Sequence, residues 1–104
     1  MNRFLKSLER HPIIAGIKSV EQAPLAIEAG VEILFILAGT IFDLKALASA
    51  SWRERALIFA HVDLMQGIGR DACGMRFLAK EIGVDGILTT RTQLINAAKE
   101  EGLY

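Results

Sequence analysis

Apolar residues gather in four short runs, at 12–18, 31–37, 57–62 and 84–88, each followed by polar turn residues and then by a stretch with helical spacing. Within the runs the apolar character is nearly continuous rather than alternating. That is the pattern of strands covered on both faces, as in a parallel sheet. After the first run, Ser19 and Gln22 have the S-x-x-Q spacing of a capping box. Pro24 follows, and because proline lacks the N–H an inner helical position needs, the helix is expected to begin nearer Pro24, with 19–23 as loop. After the second run, Asp43 is expected to cap a helix with Leu44, Leu47 and Ala48 inward. Trp52, Arg53, Glu54 and Arg55 read as the solvated end of that helix. After the third, Asp71 caps a helix in which Met75, Leu78, Ala79 and Ile82 fit the i, i+3, i+4, i+7 template, and Gly83 supplies a left-handed end. After the fourth, Thr90 and Gln93 repeat the capping-box spacing, Leu94, Ala97 and Ala98 face inward, and Gly102 ends the helix. Leu103 and Tyr104 resemble the start of a fifth strand.

Strands alternating with helices of about three turns require parallel pairing, because each helix carries the chain back to the same edge by a right-handed crossover. The expected fold is α/β, a (βα)4 half of a TIM-like barrel with strands in the order 1-2-3-4. An open doubly wound sheet shares this local pattern. The barrel is preferred because no G-x-G-x-x-G turn follows the first strand, and because the polar residues fall at the carboxyl ends of all four strands, where barrels place their sites. The 104 residues are expected to form one domain, with 1–10 as an amino-terminal arm. A four-stranded segment has two unpaired edges, so a homo-oligomer joined through the sheet edges or the inner face is expected.

Composition narrows the function classes. Twelve basic residues balance twelve acidic ones, so no net field draws the chain to nucleic acid or an anionic membrane, and any such binding is local. Cys73 is the single cysteine and has no internal disulfide partner. No secretory signal pattern opens the chain, and the apolar run at 33–38 is far short of the ~20 residues of a membrane helix. A cytoplasmic protein without a membrane partner is expected.

The candidate chemistry lies at the strand ends. His61 and Asp63 are two residues apart, so on an extended strand their side chains share one side, able to hold one ligand between them or to let Asp63 orient His61. The pair supplies too few ligands for a metal, and His11 has no spacing that adds to it, so neither metal nor cofactor is expected. Gln66 and Gly67 follow, an amide and a position open to close approach by a small polar ligand. Thr89, Thr90 and Arg91 combine hydroxyls and a guanidinium at a helix start, where free N–H groups and the helix dipole favour an anion. Lys18 ends the first strand and offers a point charge. Cys73, on a predicted helix without a cationic or histidine partner, reads as a buried, inert thiol. Arg3, Lys6 and Arg10 give the amino-terminal arm a basic character that suits RNA only weakly.

The run His61, Val62, Asp63, Leu64, Met65, Gln66, Gly67, Ile68, with Gly86, Ile87, Leu88, Thr89, Thr90 and Arg91 downstream, resembles the glycerol 3-phosphate-responsive antiterminators of glycerol-uptake operons. Ile13, Ile14, Ala15, Gly16, Ile17 and Lys18, preceded by Pro12, are similar to that family's opening strand. The resemblance covers most of this chain but only the first half of the family's length. It implies a barrel regulator without catalysis that takes glycerol 3-phosphate as effector and acts on leader mRNA. Lys18, His61, Asp63, Gln66, Gly67, Thr89, Thr90 and Arg91 are the expected ligand-binding residues, and no catalytic residue is expected. The competing readings are a phosphosugar isomerase, aldolase or lyase fragment with His61 as acid–base group, and a half-barrel assembly module without ligand.

Overall fold

A computed structural model describes residues 3–10 and 13–104; His11 and Pro12, named above, lie outside the described residues. The elements follow in the order α1 (Arg3–Arg10), β1 (Ile14–Ile17), α2 (Gln22–Glu28), β2 (Ile33–Ile36), α3 (Ile41–Ala48), β3 (Leu57–His61), α4 (Ala72–Phe77), β4 (Gly86–Leu88) and α5 (Thr92–Glu100). A 3-10 turn, Arg53–Arg55, precedes β3, and α4 widens into a π turn, Leu78–Ile82, that closes on Gly83 at φ 86°. The strands form one parallel sheet in the order β1-β2-β3-β4. Neighbours in the sheet follow chain order throughout, without the reversal that marks a doubly wound sheet.

Strand alternation divides the side chains between two faces. Ile17, Leu34, Ile36, Ile58, Ala60 and Ile87 point to the outer face and are buried against Ala23 and Ile27 of α2, Leu44 and Leu47 of α3, Met75 and Leu78 from α4 and its π turn, and Leu94 and Ala98 of α5. Each large side chain buried there contributes about 1.5–3 kcal/mol relative to exposure. Ile33, Leu57 and Phe59 point to the other face, with Phe35 and Leu88, and there the chain has no crossover helix to cover them. Residues read as an arm do that instead: α1 lays Phe4 and Leu8 on this cluster, with the Phe4 ring 5.0 Å from that of Phe59. Phe35 and Tyr104 stand 5.4 and 6.1 Å from the same ring. Gly86 makes room for it, since a Cβ there would lie 2.6 Å from the ring edge.

Several local expectations are corrected. Helix α2 starts at Gln22, two residues before Pro24, because a proline in the first turn removes only an N–H that has no intrahelical partner. Gln22 Oε1 accepts from the N–H groups of Lys18 and Ser19, at 2.7 and 3.3 Å. The N-cap of α3 is Thr40 rather than Asp43, which completes a capping box from the third helical position. The N-cap of α5 is Arg91, and Thr90 makes no cap bond; Cys73, expected to be buried, is exposed in the first turn of α4, whose inward positions are Gly74 and Met75. The expected fifth-strand opening is seen in hydrogen bonds that bracket Gly86: Tyr104 N–H donates to Asp85 at 2.9 Å and Ile87 N–H to Tyr104 at 3.2 Å.

The largest local correction concerns 52–55. Helix α3 ends at Ala48, Trp52 is buried, and Arg53 is no solvated helix end. Its guanidinium donates to the carbonyls of Ala56 and Gly83 and to Asp85 Oδ2 at 2.8 Å, and the same carboxylate accepts from Ile58 N–H at 2.8 Å. Both side chains are about four-fifths buried. This clamp fixes β3 against β4 at their amino ends. Asp85→Ala, which leaves Arg53 and Ile58 N–H unpaired, is expected to lower the unfolding free energy by about 2–3 kcal/mol in urea titrations. The exposed neighbour Arg55→Ala is expected to change it by less than about 0.5 kcal/mol; equal effects of the two would show that the clamp contributes nothing.

Candidate functional site

Parallel strands deliver the residues that follow β3 and β4 to the same end of the sheet, and there the polar side chains meet. Asp63 is the centre. Its Oδ2 accepts from Thr90 N–H at 3.2 Å, both carboxylate oxygens lie 3.1 Å from Thr89 Oγ1, and Oδ1 faces Arg91 Nε at 3.6 Å. Thr89 Oγ1 in turn accepts from Arg91 N–H at 3.1 Å. The backbone bond to Thr90, helped by the Thr89 hydroxyl and by the charges of Arg91 and His61, holds the Asp63 carboxyl below its usual range, against an opposing push from burial. About a fifth of the Asp63 side chain and half of that of Arg91 are exposed, so the guanidinium keeps donors turned to solvent.

The loop 63–70 is held by a residue the sequence reading passed over. Arg70 Nη2 donates to the carbonyls of Asp63 and Met65, each at 3.1 Å. The signal for it was slight, a lone arginine before the capping Asp71. Gly69 presses its carbonyl onto Gly74 of α4, where a Cβ would lie only 1.8 Å from that oxygen, so no other residue fits at 74 without moving the loop.

Of the eight expected ligand residues, Asp63, Thr89, Thr90 and Arg91 are in direct contact. His61 joins them through its charge on Asp63; its Nδ1 is buried and has no hydrogen-bond partner among the described residues. Gln66 and Gly67 are placed differently. Gln66 N–H donates to Gly39 and its carbonyl accepts from Ile41 N–H, extending the β2–β3 ladder past the strand ends. Gly67, at φ 89°, lies against Ile41. Lys18 is exposed beyond β1, and its ammonium has no partner among the described residues. One expectation is revised: the N–H groups of Thr90 and Arg91, offered above to an anion, are already taken by Asp63 and Thr89. An anion here relies on the Arg91 side chain and on amides further into the first turn. Among the described residues no group of three His, Cys, Asp or Glu is placed to hold a metal ion, and no helix is long and apolar enough to cross a membrane.

Residues 13–104 match the family model described as glycerol-3-phosphate responsive antiterminator. The chain is 28% identical to the uncharacterized protein YgcP of Escherichia coli (strain K12), over 97% of this chain and 53% of that protein. Its fold is similar to the crystal structure of the glycerol uptake operon antiterminator regulatory protein of Listeria monocytogenes, at a TM-score of 0.78 and 27% identity, covering 86% of this chain and 49% of that one. A glycerol uptake operon antiterminator-related protein of Thermotoga maritima shares the fold at a TM-score of 0.73 and 24% identity, with coverages of 88% and 51%. The chain spans about half the length of each of these relatives.

The Asp63 network sets a pH dependence of known sign. A carboxyl lowered in the folded state stabilises it above the unfolded value of about 3.9, and that contribution is lost as pH falls through the lower, folded pKa. Urea unfolding across the acid range is therefore expected to show stability falling below about pH 4, with a smaller fall in Asp63→Asn. An identical acid profile in the variant would remove Asp63 from the account.

Proposed function

The chain belongs to the glycerol-3-phosphate responsive antiterminator family, and from that premise we propose that it binds glycerol 3-phosphate at the carboxyl ends of β3 and β4 and acts, as the effector-sensing half of a barrel regulator, on the leader mRNA of glycerol-utilisation genes. The observation that carries the effector part is the charge-divided cluster of Asp63 and Arg91. A polyol phosphate needs an acceptor for its hydroxyls and a cation for its phosphate, and the two side chains supply these from adjacent loops. The unpartnered Nδ1 of His61 adds one more group for a hydroxyl. Lys18, Gln66 and Gly67 complete the proposed binding set at the neighbouring strand ends. No catalytic step is assigned to these residues, and RNA is the output partner because the family is one of antiterminators. Self-association belongs to the same proposal: β1 is the open edge, whereas the β4 edge carries Tyr104.

Calorimetry tests the effector site. Glycerol 3-phosphate is expected to bind in preference to glycerol, and Arg91→Ala is expected to weaken the phosphate ester at least tenfold while leaving glycerol nearly unchanged, since only the ester gains charge-assisted hydrogen bonds. An equal loss for both ligands, or none for either, would assign Arg91 to packing or solvation and end the proposal.

A further inference from the structure

Outside the Asp63 cluster, the described surface carries one pair of exposed aromatic side chains facing a shared groove. Phe42, in the first turn of α3, is 80% exposed, and Phe77, at the end of α4, is 42% exposed. Neither has a packing reason to be aromatic, since both helices bury other side chains. Between them runs an open groove of about 480 Å³ whose wall is the segment Gly67, Ile68 and Gly69. Phe42 and Phe77 line the same open space, and in the wall segment only half-buried Ile68 carries a side chain. Past Phe77 the groove continues into a depression of about 280 Å³ bordered by Arg76, Lys80 and Glu81. Lys45, three residues beyond Phe42 on α3, is also exposed. The one acidic side chain lining the main groove, Asp71, is engaged by Gly74 N–H at 2.7 Å.

We infer that this groove takes single-stranded RNA, with unpaired bases stacked on Phe42 and Phe77 and the backbone running along Arg76 and Lys80. The inference rests on the reading of RNA as output partner and adds the surface that reading lacks. Base-on-aromatic stacking beside a cationic track is the general means by which proteins hold unpaired strands. It needs no net positive charge on the whole chain, in keeping with the balanced composition. The groove is also continuous with the effector cluster: the loop that forms its wall begins at Asp63 and is tied back to it by Arg70. At the end of the groove Arg76 and Lys80 outnumber Glu81, an excess of positive charge that complements a phosphate backbone and that apolar docking of a second copy would not use.

The test is fluorescence anisotropy of a labelled single-stranded oligouridylate with the whole chain, alongside sedimentation of the protein. Phe42→Ala and Phe77→Ala are each expected to weaken binding about tenfold, with Phe42→Trp restoring it, because indole stacks as phenyl does. Arg76→Glu is expected to weaken binding and to flatten its salt dependence. Phe42 is mostly solvated, so its alanine variant keeps the wild-type melting temperature and isolates contact from folding. Oligouridylate binding by the wild type that is unchanged in both phenylalanine variants would overturn the groove and leave the effector site standing. No binding by the wild type would overturn the groove and the RNA half of the proposed function together. A change in sedimentation on Phe42→Ala with RNA affinity intact would make the groove a protein interface and overturn the inference.

Discussion

A parallel sheet has two faces to bury, and in this chain only one is covered by the helices that the strands themselves generate. Each crossover returns α2 to α5 to the outer face, where Leu34, Ile36, Ile58 and Ile87 are sealed against them. The inner face has to find cover elsewhere, and it finds α1 and Tyr104, four residues beyond α5. Phe4, Phe35 and Tyr104 gather around Phe59, and Gly86 leaves room for the Phe59 ring in the strand beside it. The cover is partial. Ile33 of β2 and Leu57 and Phe59 of β3 are buried, while Ile14 and Gly16 on the edge strand β1, with Phe35 and Leu88, retain exposure.

The two ends of the sheet also differ in their polar groups. The amino ends of β3 and β4 are occupied by structural work: the Arg53–Asp85 clamp satisfies two backbone carbonyls and the Ile58 N–H. At the carboxyl ends the equivalent tie is made by Asp63, which holds the β3 loop to the β4 loop through Thr89, Thr90 and Arg91. The two carboxylates do related jobs in different settings. Asp85 is enclosed by a paired guanidinium and backbone, whereas Asp63 stands beside a half-exposed arginine and a histidine nitrogen without a partner. The two carboxylates are equally exposed, but half of the Arg91 side chain is open to solvent against less than a fifth of Arg53, so the second arrangement offers a ligand the more accessible donors.

The loop 63–70 converts one end of this site into a surface. Arg70 fastens it to the Asp63 and Met65 carbonyls, Gln66 pairs it with the end of β2, and the contact of Gly69 with Gly74 seats it on α4. With so many backbone attachments the loop has little freedom to move piecemeal. The same loop borders both the Asp63 cluster and the Phe42–Phe77 groove.

The strands, their order and the outer core were legible in the sequence because each depends on local pattern: unbroken apolar runs, helical spacing in 71–83, and glycines where helices end. The polar cluster was legible for a related reason, since strand ends in a parallel sheet necessarily meet, and Asp63, Thr89, Thr90 and Arg91 all lie there. Caps and turns were less so. Thr40 and Asp43 both fit a capping role, and only backbone direction made Thr40 the cap. Arg53 and Asp85 are 32 residues apart, so no sequence spacing links them until β3 and β4 are side by side. The same holds for α1, whose charges suggested an arm while its Phe4 and Leu8 had no visible destination before the inner face existed. The hydrogen bonds of Thr90 and Arg91 were decided by the same tertiary step: a helix start offers free N–H groups by local rule, and whether they stay free depends on which distant side chain the fold brings to them. Here that side chain is Asp63.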